Sequence, residues 1–409
     1  MHINKTRLLG WMEEQATIGA TPDGGLSRPA LSEADLAVRA WFEAKIYAAG
    51  LVYHMDGAGN QSGVLKSDNP QAKTLLIGSH LDSVPNGGRY DGALGVLVGL
   101  EVLQTVKESG LMLPFHLEVV NFTDEEGTLR GLLGSCAFTG RLEEHELDYV
   151  RGGGDALEDG LLRAGLNRKT FMTACRDAKS LLGYLEVHIE QGRRLEQAGL
   201  DIGVVTSIVG VRSFWLHFIG EAAHAGTRPM PERRDAIWGA MNFIQHARQM
   251  VLDQFQPGVM NCGEIAIEHS AFNIVPSDVR ISLEFRHGDT AQLDAMQAAL
   301  FRIANESAAA YGLGLDIQPA GIIEPAVMAE QMVKAVETGA ARAGVSHTRL
   351  MSFAGHDAQS LAYVTPSAMF FVPCLNGISH NPMEYATPEV CANAAEVMLQ
   401  TVLHLCDEQ

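Results

Sequence analysis

The sequence predicts an α/β fold, a large split domain interrupted by a smaller α+β unit. Three observations predict it. In the first half of the chain, short apolar runs that end in polar clusters alternate with helical stretches. Near residue 210 this rhythm gives way to strands of alternating polarity and two long helices. From about residue 325 the first rhythm returns.

"TLLIGSH" (74–80) is an apolar run ending in polar residues, which predicts a buried strand. "ALGVLVGLEVLQTVKESG" (93–110) has helical apolar spacing and stops at Gly110. "FHLEVVNFTDEEG" (115–127) and "LGYLEVHIEQG" (182–192) repeat the strand-then-polar theme. "VRSFWLHFIGEAAHAG" (211–226) alternates and predicts one long strand. "DAIWGAMNFIQHARQMVLDQF" (235–255) is a helix, and "NIVPSDVRISLEFRH" (273–287) alternates again. "DTAQLDAMQAALFRIANESAAAYG" (289–312) is a second helix, followed by a strand in "LGLDIQPAG" (313–321). Together these make a unit of roughly 110 residues, a usual size for a small domain. "SAMFFVPCLNGISHNP" (367–382) is once more a strand entering a polar loop.

The bulk composition narrows the partners. The net charge is −19, from 30 basic and 49 acidic residues, so neither nucleic acid nor an anionic membrane is an expected partner. Six scattered cysteines without a C-x-x-C pair predict reduced thiols. The start "MHINKTRLLGWMEEQATIGA" reads as an amphipathic helix rather than a signal peptide. No apolar run approaches a membrane span. A cytoplasmic location is expected.

The polar residues behind the buried strands are His80, Asp82, Asp91, Glu125, Glu126, His188 and His380. Ligands of α/β sheets collect at the C-terminal ends of strands. Imidazole and carboxylate suit Zn, Mn, Co or Ni, and a carboxylate can bridge two such ions about 3.5–4 Å apart. The doublet Glu125-Glu126 could divide ligand and proton-acceptor roles. Taken singly, each residue reads equally well as a turn, a helix cap or a solvated acid. Spacing alone leaves a dinuclear site and unrelated polar turns both open.

The motifs "GSHLDSVPNGGRYDG", "TDEEG", "EVHIEQG", "AHAGTRPM", "NIVP", "FRH", "AGHDAQ" and "NGISHNP" stand in this order along the chain. In this the sequence resembles the amidase/hydantoinase–carbamoylase branch of the M20 metallopeptidase family. That branch includes N-carbamoyl-L-amino-acid hydrolases, allantoate amidohydrolases, ureidoglycolate hydrolases and β-ureidopropionases. The likeness runs from "GGLSRPALSEAD" (24–35) to "SHNPMEYATPE" (379–389).

The resemblance implies a split catalytic domain (1–209 and 325–409) with a mixed sheet flanked by helices, and an inserted α+β lid and dimerisation domain (210–324). It implies two divalent metal ions per subunit, a homodimer and a small ureido substrate. His80 and His188 would share one ion, Glu126 and His380 the other, and Asp91 would bridge them. Glu125 would be the general base. Asp82 would bond the free nitrogen of His80 and fix its tautomer. Arg286 would grip the substrate carboxylate, a task suited to a planar guanidinium. Gln191 and Asn273 would bond the substrate's polar groups, and Gly355 and His356 would lie beside the carboxylate. His224 would stabilise the developing oxyanion. His217 and His287 receive no role beyond structure.

Peptidases of the wider family usually carry an acid where this chain has His188. That residue favours cleavage of an N-carbamoyl amino acid, with allantoate or ureidoglycolate as the alternative. A peptidase, an aminoacylase or a non-catalytic binding protein follow as weaker readings. The chain departs from the branch at Thr128–Gly131, which puts the shape of the nearby pocket in doubt. It also departs at Arg228, which is expected to face water.

Overall fold

The computed structural model describes residues 1–408. The N-terminal part supplies β1 (Val52–Met55), β2 (Gln61–Leu65), β3 (Thr74–His80), β4 (His116–Phe122), β5 (Leu181–Ile189) and β6 (Ile202–Ile208). Next come β7 (Gly210–Ile219), β8 (Ala223–His224), β9 (Val259–Asn261), β10 (Ile265–Ile267), β11 (Ile274–Val275), β12 (Asp278–His287) and β13 (Gly314–Ile323). The returning chain adds β14 (Ala326–Val327), β15 (His347–Ser352) and β16 (Ser367–Val372).

The chain divides into two compact units. The first comprises Met1–Thr206, Met328–Leu350 and the chain from Gly355 onward; the second comprises Ser207–Val327 with Met351–Ala354. These boundaries fall at 206/207 and 327/328, against 209/210 and 324/325 expected from sequence. The segment 351–354, expected in the larger unit, goes with the smaller one. The reason is local bonding: Val209 N–H donates to Ser352 O at 2.9 Å, and Arg286 Nη1 donates to Phe353 O at 2.9 Å.

In the large sheet the strand order is β1-β2-β4-β3-β5-β16-β6-β14, with β15 also against β6. The sheet is mixed. β4, β3, β5 and β16 run parallel, while β2 on one side and β6 on the other are antiparallel to them. Every residue of β3 and β16 is buried, as strands covered on both faces must be. Helix Ala93–Ser109 presses against this sheet and is buried over nearly its whole length. The four parallel strands all point the same way. His80 therefore ends β3, His188 lies near the end of β5, and Glu125–Glu126 follow β4.

The smaller unit is an antiparallel sheet, order β10-β12-β7-β13 with β9 on β12. Helices Ala236–Gln254 and Thr290–Ala310 share its core through Phe214, Phe218, Phe243, Leu283 and Leu300. Alternate residues of β7 are buried, the period that marked it in sequence. The long strand expected over 211–226 is in fact two. After Ile219 the N–H groups of Gly220 and Glu221 turn to the carbonyls of Ser277 and Arg234. β8 then pairs with β11, setting His224 opposite Ile274. The stretch 273–287 is likewise broken, between Val275 and Asp278. Pro276 sits in that break and has no N–H for a ladder.

Candidate metal centre

Asp91 lies on the loop between β3 and helix Ala93–Ser109, and its side chain is buried. Its Oδ1 is 2.9 Å from His188 Nε2 and 3.5 Å from His80 Nε2. Its Oδ2 is 3.4 Å from His380 Nε2, which in turn is 3.2 Å from Glu126 Oε2. Two ligand triads result, His80–Asp91–His188 and Asp91–Glu126–His380, each with its donor atoms within 4.8 Å of one another. They share Asp91, one oxygen to each.

The ring orientations fit a metal. His80 Nδ1 bonds the Asp82 carbonyl at 3.1 Å and His188 Nδ1 bonds the Ile189 carbonyl at 2.8 Å. Carbonyls only accept, so both Nδ1 atoms carry the proton and both Nε2 lone pairs face the site. Gly92 N–H donates to His188 Nε2 at 3.1 Å, as that tautomer requires. His80 Nε2 is buried with no hydrogen-bond partner, a donor atom suited to a cation.

The electrostatics point the same way. Burial opposes charge on His80, yet Glu125 and Asp91 outweigh it and carry the ring well above its usual range. Burial likewise opposes charge on His188, and Asp91 raises it. Hydrogen bonds to Asp91 and Glu126 push His380 up to about 10. Burial would raise Asp91, but the facing imidazoles, His188 foremost, hold it well below the carboxylate range. Glu125 sits apart from the triads, its Oε2 3.6 Å from His80 Nε2. Burial, aided by the charges of Asp357 and Glu126 and opposed by His80, drives its carboxyl well above the usual value. A carboxyl so placed is a candidate to take and return a proton.

Several sequence expectations change in detail. The partner of His80 Nδ1 is the Asp82 backbone carbonyl; the carboxylate stands 3.7 Å away. That carboxylate instead accepts the N–H groups of Glu125 at 3.4 Å and Glu126 at 3.3 Å, so it holds the acidic doublet. Gln191, expected to face substrate, donates its amide to Asp91 Oδ2 at 2.8 Å and Ser379 Oγ at 3.2 Å. His356 is buried with its ring 4.6 Å from that of His188 and 5.4 Å from that of Phe371. It packs against a ligand ring, and burial and the charge on His188 keep it well below the usual histidine range. Gly355 is exposed beside it.

The remaining residues lie in the smaller unit. Ala225 N–H donates to Asn273 O at 2.9 Å, so the β8–β11 ribbon brings His224 and Asn273 together, both exposed. His224 Nδ1 accepts from Gly226 N–H at 3.1 Å, leaving Nε2 as the outward donor. Arg286 is partly exposed and pairs with Glu284 at 2.8 Å. Arg228 reaches Glu221 at 2.9 Å, an ion pair on the surface. His217 bonds Asp278 at 2.7 Å.

Sequence reasoning missed the residues that shape the loops. Asp124 has φ +56° and accepts from the N–H groups of Thr128, Leu129 and Arg130 and from Thr128 Oγ1. It curls the segment that carries Glu125 and Glu126. The unusual Thr128–Gly131 stretch therefore serves Asp124, and Arg130 reaches away to Glu146 at 2.5 Å. Glu384 and Ser379 were also missed, although both flank a ligand in "SHNPMEY". Burial and the charge of Asp91 lift Glu384 to about 7.

Residues 76–404 match the peptidase family M20/M25/M40. The chain belongs to this family. The two triads are its candidate metal ligands. Among M20 relatives, the N-carbamoyl-L-amino acid amidohydrolase of Geobacillus stearothermophilus is 35% identical over 98% of this chain and 99% of its own. The allantoate amidohydrolase of Bacillus subtilis is 32% identical over 94% of this chain and 93% of its own. A hydantoinase/carbamoylase family amidase from Burkholderia multivorans superposes with a TM-score of 0.89 at 35% identity, covering 99% of this chain and 98% of the other.

Proposed function

We propose that this protein hydrolyses the ureido C–N bond of N-carbamoyl-L-amino acids, releasing the amino acid, carbon dioxide and ammonia. The observation that carries the reading is Asp91 shared between two triads, with His188 in one of them. His80, Asp91 and His188 would hold one divalent ion; Asp91, Glu126 and His380 would hold the second. When bound, two such ions polarise a carbonyl and make water acidic enough to ionise near neutrality. Zn, Mn, Co and Ni all suit the donors.

The chain's own residues then act in sequence. Glu125 takes a proton from the attacking water. The water oxygen bonds the carbamoyl carbon as the C=O electrons move to oxygen. His224 donates a hydrogen bond to that oxyanion. Glu125 returns its proton to a departing nitrogen as the C–N bond breaks, leaving a carbamic acid whose remaining C–N bond breaks as it decomposes, so that carbon dioxide and both nitrogens are released. Arg286 binds the substrate carboxylate and Asn273 the substrate's polar groups, while Gln191 holds Asp91 and His356 backs the His188 ring. Arg286 and His224 belong to the second unit, which is the proposed lid and dimerisation domain.

The test is ammonia release from N-carbamoyl-L-amino acids, N-carbamoyl-β-alanine, allantoate and ureidoglycolate, with Mn²⁺, Zn²⁺ or Co²⁺ supplied. The reading expects N-carbamoyl-L-amino acids to give the highest kcat/KM. Preference for allantoate or ureidoglycolate would move the assignment to the alternative, which the likeness to an allantoate amidohydrolase keeps in view. Silence from every compound would sink the ureido reading. In the same assay Glu125→Gln should keep its metal and lose kcat by roughly 10²–10⁴-fold, the range for general acid–base catalysis.

A further inference from the structure

The loop bearing Asp91 is held from beneath by Glu384, a residue outside both triads. The Glu384 side chain is buried, and its Oε1 accepts the backbone N–H of Tyr90 at 2.8 Å and of Asp91 at 3.1 Å. Its Oε2 is 3.0 Å from Ser379 Oγ, and that hydroxyl is 2.8 Å from Asp91 Oδ2. Gln191 Nε2 reaches Asp91 Oδ2 and Ser379 Oγ, closing a ring of polar contacts around one carboxylate oxygen. Gly88 makes room for this arrangement. A Cβ there would fall 2.0–2.3 Å from the carboxyl atoms of Glu384. Gly88 is absent from the left-handed region, so it is volume that the position excludes.

We infer that Glu384 is a positioning residue for the whole of Asp91, and that Ser379 positions only the oxygen facing His380. The inference rests on the reading of Asp91 as the bridging ligand. Its consequence is an asymmetry. Loss of Glu384 frees the Asp91 backbone and disturbs both ion sites. Loss of the Ser379 hydroxyl leaves Oδ2 to Gln191 while Glu384 Oε1 keeps the two N–H groups, so it loosens Oδ2 and disturbs the site of Glu126 and His380.

Calorimetric titration of the metal-free protein with Mn²⁺ tests this, with circular dichroism to report folding. Glu384→Ala should weaken both binding steps by roughly 10–100-fold, the range for losing a partner that orients a metal ligand. Glu384→Gln retains an oxygen for the two N–H groups and offers its amide to Ser379, so it should restore both steps. Ser379→Ala should weaken one step only, the same step that His380→Ala removes. Gly88→Ala should weaken both steps in the native background and add nothing in the Glu384→Ala background, because both act through one carboxylate. Unchanged binding in Glu384→Ala, or equal weakening of both steps by Ser379→Ala, would overturn the inference. Ser379→Ala keeps the test open should Glu384→Ala fail to fold. Asp91→Ala separates the two readings. If it binds both ions as the native protein does, the metal assignment itself fails. If it loses both while Glu384→Ala loses neither, only the positioning role fails.

Discussion

Each imidazole of the site is charged or neutral according to which oxygens face it. His380 is raised to about 10 by Asp91 and Glu126, so at neutral pH it holds a proton that an incoming cation must displace. The sign follows directly. Metal affinity of the Glu126–His380 site should rise with pH up to about 10. It should fall by about tenfold per unit of acidification for each proton displaced. Calorimetry at pH 7 in two buffers of different ionisation enthalpy would read the released proton as a difference in apparent heat. Equal heats in the two buffers would contradict it. At the same scale, Asp82 bonds His80 Nδ1 through its backbone carbonyl. An acid two residues from a histidine suggests a carboxylate–imidazole bond, but the backbone carbonyl of the same residue lies closer.

At the scale of elements, the site is a property of strand ends and the turns that leave them. The turn from β3 into helix Ala93–Ser109 brings Asp91 back over His80. Gly92 closes it with φ +63°, and a Cβ there would stand 2.4–2.5 Å from the His80 ring. Gly92→Ala should therefore displace His80 as well as strain the backbone. We expect a loss of roughly 1–3 kcal/mol in stability together with loss of metal from the His80–His188 site. Thermal melting and metal analysis of the purified variant would show it. A variant with native metal content would mean that the turn can relax without moving the ring. The Asp124 loop is built on the same plan, a buried acid collecting successive N–H groups so that two further acids are displayed. The "TDEEG" motif announced the displayed pair; the purpose of its first acid emerged only from the folded loop.

For the molecule as a whole, the residues proposed for chemistry and those proposed for recognition fall largely in different units. The candidate metal ligands and Glu125 all belong to the first unit, while Arg286, His224 and Asn273 belong to the second. If Arg286 holds the substrate carboxylate, Arg286→Lys should raise KM and cost roughly 2–3 kcal/mol in kcat/KM through loss of a charge-assisted bidentate contact. Metal content should not change. Steady-state kinetics on the best N-carbamoyl substrate would decide it, and native kcat/KM in the variant would remove Arg286 from the site. Among the described residues no helix is long and apolar enough to cross a membrane.

The sequence by itself determined the architecture and offered the candidate ligands. Both are written in local patterns: hydrophobic period, glycine at turns, and polar residues placed directly behind buried strands. Residues 80, 91, 126, 188 and 380 stood out as polar residues behind buried strands, and their division between two ions is what the resemblance to the family implies. Only the tertiary structure decided which nitrogen of each ring faces the site and which oxygen of Asp91 belongs to which triad. It alone showed that His356 packs against His188 and that Glu384 holds the loop of Asp91, 293 positions away. It also assigned residues 351–354 to the smaller unit. Those facts depend on hydrogen bonds and van der Waals contacts between segments far apart in the chain. No periodicity records such contacts, because the groups become neighbours only when the sheet assembles.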